Sequence, residues 1–280
     1  MNAGRRSFRV LFTDLDGTLL DESTYSWKAA EPALGALREA NVLVVFSTSK
    51  TFAEVERLQE QIGVEAPLIV ENGGGIYFRP GQLEPTGLDV QLADGWHRVS
   101  LGVPHRALMA QLVAIHELTG IPIRSFSQMT PEEVAEDCGL PLEEARLAQR
   151  REFDEPFRLL SDRPEDLPQV IRLAEGVGLR VLQGGRYHHL AGRSTKGDAV
   201  RKVCSFLRKR RGPVRSVGLG DSPNDLPMLE AVDLPVVVMR HGGFHHPQLQ
   251  EGVPHALLAP GVGPVGWNTA VLELLSDGRW

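Results

Sequence analysis

Phe12-Thr13-Asp14-Leu15-Asp16-Gly17-Thr18-Leu19 is the stretch that decides the fold. Upstream, Phe8 to Phe12 is a run of apolar, β-branched and aromatic residues, the pattern of a short buried strand. Downstream come a glycine and more apolar residues. Two carboxylates therefore stand one residue apart at the carboxyl end of a strand, where open α/β sheets place their ligand crevice. Because the chain is leaving the strand, both side chains can turn into one cavity. Like charges that close repel, and each needs a cation or a proton nearby. A hard cation such as Mg²⁺ suits carboxylate oxygens and commonly brings a substrate phosphate with it. One carboxylate can then attack phosphorus to form an aspartyl-phosphate, while the other protonates the leaving oxygen and later accepts a proton from water. Asp-x-Asp-Gly also makes ordinary surface turns, so the flanking strand and the matching stations further on distinguish the two readings.

Those stations repeat the arrangement of strand, polar turn and helix. Val42 to Phe46 is a second buried run, ending in Ser47-Thr48-Ser49-Lys50-Thr51 before a helix with Val55, Leu58 and Ile62 on one stripe. A hydroxyl there can donate to a phosphate oxygen beside the amides of the helix start, or simply cap the helix. Leu68 to Val70 is a third strand running into Glu71-Asn72-Gly73-Gly74-Gly75. The glycines allow either close backbone approach to a ligand or a plain hairpin, and Asn72 could orient a substrate or a neighbouring Asp. Val214 to Leu219 ends in Gly220-Asp221-Ser222-Pro223-Asn224-Asp225. Asp221 and Asp225, with Asn224 between them, could complete a cation shell from across the sheet. Lys196 opens a helix, where the helix dipole disfavours an ammonium. That local cost suggests a second use, holding a phosphoryl oxygen and shielding Asp14; the other reading is an exposed lysine reaching into water.

Between Pro80 and Asp94 the composition turns to Pro, Gly and polar residues, as at a domain boundary. Beyond it strands and helices mix: a strand from Trp96, a helix opened by Pro104 with Leu108, Leu112 and Ile115 in register, and Thr130-Pro131-Glu132-Glu133 as a helix start. Phe153 to Leu160 and Leu179 to Gln183 read as strands, with Gly184-Gly185 turning a hairpin into Arg186 to Leu190. The expectation is an α/β fold: a doubly wound, mostly parallel Rossmann-like core sheet from 1–89 and 191–280, with an inserted α+β cap domain at 90–190.

The chain has 280 residues, 42% of them apolar, and a formal charge of −6. A core of useful size is affordable, and a basic surface for nucleic acid is not indicated; Arg208-Lys209-Arg210-Arg211 reads as a helix end before Gly212. Two cysteines, Cys138 and Cys204, make neither a disulfide framework nor a metal spacing. His241, His245 and His246 sit in a Gly/Pro loop without partners at metal-binding spacing. No signal region and no membrane-length apolar run stand out, which leads us to expect a cytoplasmic protein that binds neither membrane nor nucleic acid.

In order and kind, Asp14-x-Asp16-Gly17-Thr18, Thr48, Lys196 and Gly220-Asp221-x-x-Asn224-Asp225 resemble the stations of the haloacid dehalogenase superfamily of phosphohydrolases. Within it, Ser47 to Thr51, Glu71 to Gly75, Arg151 to Phe157 and Gly184 to His189 are similar to the mannosyl-3-phosphoglycerate phosphatase family. The resemblance implies Asp14 as nucleophile and Mg²⁺ ligand, and Asp16 as acid/base that also meets the metal. It implies Thr48 and Lys196 as catalytic holders of the phosphoryl group, and Asp221, Asn224 and Asp225 as the rest of the metal shell. The substrate would be a small phosphorylated sugar-glycerate, bound by a monomer or homodimer. Ser49, Lys50 and Asn72 become substrate candidates. In the cap, Arg151 and Arg186 are candidates for the glycerate carboxylate, because a guanidinium fork matches it, with Gln128 and His188 for sugar hydroxyls. Each cap residue could instead be a solvated side chain or part of an ion pair within the cap. The same stations would also serve another sugar-phosphate phosphatase, a phosphomutase, or a non-catalytic sugar-phosphate sensor.

Overall fold

A computed structural model describes residues 7–183 and 187–280. In chain order its strands are β1 (Phe8–Thr13), β2 (Leu43–Ser47), β3 (Leu68–Val70), β4 (Gly75–Phe78), β5 (Gln91–Ala93), β6 (Trp96–Ser100) and β7 (Ile123–Ser125). They continue with β8 (Asp154–Leu159), β9 (Arg180–Gln183), β10 (His188–Ala191), β11 (Val214–Gly220), β12 (Leu234–Met239) and β13 (Leu257–Val262).

Nine of these strands form one sheet in the order β13-β12-β11-β1-β2-β3-β4-β6-β5. The six from β13 to β3 run parallel, and β4, β6 and β5 extend the sheet antiparallel. Both faces are covered, which is why the parallel strands read as unbroken apolar runs. On one face Leu11, Val44 and Phe46 pack with Leu34 and Leu37 of the helix Glu31–Glu39 and with Trp267 and Val271 of the helix Gly263–Ser276. On the other, Val10, Phe12 and Val45 meet Val200, Val203 and Leu207 of the helix Lys196–Arg211, with Cys204 buried among them. From β1 the chain builds outward one way to β2 and β3 and later the other way to β11 and β12. The strand order therefore reverses between β1 and β11, and the carboxyl ends of those two strands flank the ligand crevice.

The second sheet, β7-β8-β10-β9, is antiparallel throughout. One face packs on the helices His105–Thr119 and Asp166–Gly176 through Leu108, Leu112, Phe157, Val170 and Leu190. The other carries a smaller cluster in which Phe126 and Tyr187 meet Val134 and Ala145 of two short helices, Pro131–Cys138 and Leu142–Ala148. Thr130 and Glu133 form the capping box that the sequence pattern predicts. The second short helix leans on the core: Thr51 Oγ1 donates to Leu147 O at 2.9 Å, and Arg57 pairs with Glu144 at 3.0 Å.

The structure departs from the sequence reading at the expected boundary of 90. β5 and β6 belong to the edge of the first sheet, where Ile76 faces Val99 and Tyr77 faces Arg98, so the core's first segment runs to Ser100. Strand pairing across a long loop depends on the partner, and a single strand's composition does not name it. The expected Gly184-Gly185 turn lies outside the described residues.

Candidate active site

β1 delivers Asp14 and β11 delivers Asp221 side by side. Thr13, the last residue of β1, is the ladder partner of Leu219, the last but one of β11, and Asp14 N donates to Leu219 O at 2.9 Å. Gly17 lets the first turn close beneath them: its φ is +74°, and a Cβ there would lie 3.1 Å from Asp221 Oδ2. The short helical turn Pro223–Asp225 then folds Asp225 back against the same point. Asp14, Asp221 and Asp225 are buried, and each offers a carboxylate oxygen within 4.8 Å of the other two. Lys196 comes in from the opposite side on the first turn of its helix. Its Nζ donates at 2.6 Å to both Asp14 Oδ1 and Asp225 Oδ1, and the side chain is fully enclosed.

The charges in this cluster do not balance. Thr18 Oγ1 donates to Asp221 Oδ1 at 2.9 Å, and Arg240 Nε stands 3.3 Å from Asp221 Oδ2. Burial first and Asp225 second still push Asp221 up to about 7. Burial, Asp225 and Asp221 raise Asp14 well above the usual carboxylate range, with Lys196 opposing them. Burial alone would lower Lys196, but Asp14 and Asp225 reverse that and hold it firmly protonated. Asp225 is the most fully committed of the three, since its Oδ2 accepts from the amides of Asp221 and Ser222 at 3.1 Å each. A buried set of all-oxygen donors with surplus negative charge fits a hard divalent cation.

Asp16 sits at the rim, its side chain 39% exposed, and pairs with Lys50 Nζ at 3.1 Å. Its Oδ1 is enclosed without a hydrogen-bond partner, so one carboxylate oxygen stays uncommitted. Lys50 also lies 3.7 Å from Glu54 and over the Tyr25 ring at 5.0 Å. Burial would lower Lys50, and Asp16 and Glu54 more than reverse it. Thr48 is buried at the end of β2, its hydroxyl accepting from Lys50 N at 3.2 Å.

A second polar chain joins the crevice to the four-stranded sheet. Ser222 Oγ donates to Asn224 Oδ1 at 2.5 Å, Asn224 Nδ2 to Asn72 Oδ1 at 3.2 Å, and Asn72 Nδ2 to Asp154 Oδ2 at 3.2 Å. Glu71 and Asn72 both adopt positive φ, at 48° and 56°, which turns Asn72 into the seam. Gly73 follows at φ +90° because a Cβ there would fall 2.2 Å from Thr195 O. Glu71, pushed up to about 8 mainly by burial, accepts from the amides of Glu152 and Phe153 at the point where the chain enters β8.

Residues 11–89 match the haloacid dehalogenase-like hydrolase family. A glucosyl-3-phosphoglycerate/mannosyl-3-phosphoglycerate phosphatase of Methanococcoides burtonii is 39% identical over 267 residues, 95% of this chain and 97% of that protein. A protein of the same name from Persephonella marina is 36% identical over 275 residues, 96% of this chain and 97% of its own. The chain belongs to the haloacid dehalogenase-like hydrolases. Its fold agrees with that of a haloalkanoate-superfamily phosphatase from Bacteroides thetaiotaomicron, with a TM-score of 0.68 at 17% identity, covering 100% of this chain and 98% of that one. Phosphatases of this superfamily use a metal ion, and the buried acidic cluster stands where the strand order reverses.

Not every expected residue of this haloacid dehalogenase-like hydrolase reaches the crevice by its side chain. Asn224 turns its amide to Asn72 and Ser222 rather than to the carboxylates. Arg151 is buried and tied down: Nη1 donates to Ser49 O at 2.7 Å and lies 3.6 Å from Asp154, and Nε donates to Ala148 O at 2.8 Å. Ser49 thus enters through its carbonyl. Gln128 is exposed and caps a short turn through Ser125 N at 3.0 Å. His188 packs on Phe157, on the helix-covered face of the second sheet. Arg186 lies outside the described residues. Sequence reading passed over Thr18, Glu71, Asp154, His189 and Arg240. Glu71 and Asp154 stood inside stretches already singled out, and a carboxylate among apolar residues was the available signal. Thr18 and His189 also lie inside quoted stretches, though nothing local marks them individually; Arg240 lies outside them, and the partners of all three are far along the chain.

Proposed function

We propose that this protein hydrolyses mannosyl-3-phosphoglycerate to mannosylglycerate and phosphate in the cytoplasm, with Mg²⁺ as the metal. The observation that carries the reading is the buried triad Asp14, Asp221 and Asp225 bridged by Lys196, in a chain whose named relatives match it along almost its whole length.

The roles follow from position. Asp14, at the strand end, attacks phosphorus as the ester bond to the glycerate oxygen breaks. Lys196, already beside Asp14, offsets negative charge on the transferring group, and the Thr48 hydroxyl donates to a phosphoryl oxygen. Asp16, at the rim with one oxygen uncommitted, gives its proton to the leaving oxygen. It then takes a proton from the water that attacks the aspartyl-phosphate, which frees Asp14 and releases phosphate. Asp14, Asp221 and the backbone carbonyl of Asp16 would hold the cation, with Asp225 and Asn224 bracing the loop. When bound, the cation neutralises the phosphate and the carboxylates, so that an anion can approach a site that is otherwise anionic.

Phosphate release over a panel of sugar phosphates, with and without Mg²⁺, tests this reading. Mannosyl-3-phosphoglycerate should have the highest kcat/KM, and a hydroxylamine-sensitive phosphoenzyme should form on Asp14. Activity confined to other sugar phosphates would transfer the assignment to them. Isomerised sugar phosphate without free phosphate would make the protein a mutase.

A further inference from the structure

The cap sequence offers two adjacent histidines, and the register of β8 with β10 separates them. His188 stands opposite Phe157 with ring centroids 5.7 Å apart, on the face where Leu190 packs with Leu108 and Val170. Side chains alternate along a strand, so His189 occupies the other face. There its Nδ1 lies 2.8 Å and 3.1 Å from the two oxygens of Asp154. Asp154 is pinned by three core loops. Asn72 reaches it from the end of β3, Arg151 ties it to Ser49 after β2, and Asn224 backs Asn72 from the loop after β11. His189 therefore stands behind Asp154, on the face of the second sheet from which Asp154 and Arg151 reach the loops after β2 and β3.

We propose that His189, oriented by Asp154, is the residue through which the cap reads the part of the substrate beyond its phosphate. This inference rests on the phosphatase reading above. A carboxylate only accepts hydrogen bonds, so Asp154 fixes the proton on Nδ1 and the angle of the ring. Nε2 is then the ring's working atom. It has no hydrogen-bond partner among the described residues, although the side chain is only 15% exposed. Nε2 is not among the enclosed unpartnered atoms, so it is open to solvent and free to meet a ligand. An oxygen of the sugar or the glycerate fits that position, whereas the phosphate belongs to Asp14 and Lys196. Asp154 is a positioning residue here, acting through the histidine.

Two amides dissect the ring. His189→Asn keeps a donor where Nδ1 is, preserving the bond to Asp154, and removes Nε2. His189→Gln places an amide where Nε2 is. Both are compared with wild type on the best glycosyl phosphate of the panel and on para-nitrophenyl phosphate, with thermal unfolding as the check on folding. His189→Asn should lower kcat/KM on the glycosyl phosphate about tenfold or more, mostly through KM, and leave the aryl phosphate within about twofold. His189→Gln should recover part of that loss, and His188→Asn should show no such split. Equal losses on both substrates, or none on the glycosyl phosphate, would overturn the assignment of His189. If His189→Asn fails to fold, the Gln variant decides: a partial loss confined to the glycosyl phosphate supports the assignment, and equal losses on both substrates, or none on either, refute it. A wild type inactive on every phosphate would remove the phosphatase reading itself, a result distinct from any variant's.

Discussion

Asp14 and Asp154 are both buried aspartates, 5% and 0% exposed, yet their surroundings push them in opposite directions. At Asp14 burial and two neighbouring carboxylates outweigh one ammonium, and the proton is held more tightly than in water. At Asp154 burial acts the same way, but His189, Arg151 and Asn72 more than reverse it, and the pKa falls. At Asp154 the seam between the core and the second sheet is thus balanced by the protein's own groups. The crevice is not, and its surplus negative charge is what a divalent cation and a phosphoryl group would share between them. One region is built to hold its geometry and the other to take in charge from outside.

The most severe way to break that contrast is to remove the charge at Asp14. Asp14→Asn should cut phosphate release at least about 10³-fold on both glycosyl and aryl phosphates, with no phosphoenzyme, because the group that forms the covalent bond is gone. Survival of turnover would mean that Asp14 is not the nucleophile. Next, Asp221→Asn should raise the Mg²⁺ concentration for half-maximal activity about tenfold or more, read from a metal titration after chelation. An unchanged requirement would take Asp221 out of the shell. Changing the seam should act on folding instead. Arg151→Ala removes one of the cationic partners of Asp154 and the donor to the Ser49 carbonyl, and Tm should fall by about 5 °C or more. Both classes of substrate should then suffer alike, whereas a loss confined to the sugar-glycerate phosphate would restore Arg151 as a reader of the carboxylate.

The smallest effect concerns pH. Asp14 and Asp221 have folded pKa values above their unfolded ones, so between about pH 4 and about pH 7, the value for Asp221, the unfolded chain gives up protons that the folded one keeps. Metal-free protein should therefore lose stability as pH rises through that window, by a few degrees of Tm. Glu71, near 8, adds the same slope. Saturating Mg²⁺ should flatten the share due to Asp14 and Asp221 and leave that of Glu71. A Tm profile indifferent to metal would count against the cation site.

The chemistry of the crevice was legible because its residues follow unbroken apolar runs: a strand buried on both faces announces itself, and polar residues at its end have one place to go. Asp14, Asp16, Thr48, Asp221 and Asp225 stand out as candidates this way, whereas Lys196 stands out as an ammonium at a helix start. The edge of the core sheet was harder. β5 and β6 look like the start of the cap, since nothing in Trp96 to Ser100 says that its partner is β4. β13 escaped notice because Pro260 and Gly261 interrupt it. The expected readers in the cap fared differently from one another. Arg151 carries the charge for the task but is anchored to backbone carbonyls, and His188 is one residue out of phase with the face that meets the core.

By itself the sequence determined the strand, turn and helix grammar, the six polar residues at strand ends and helix starts, and the superfamily they belong to. These depend on local burial and on spacings of a few residues. Only the tertiary structure decided which carboxylates share one cation site, that Asp154 is a strut, and that His189 rather than its neighbour faces the core. Those facts hang on strand register and on partners tens to hundreds of positions away, where a shift of one residue turns a side chain from one face of a sheet to the other.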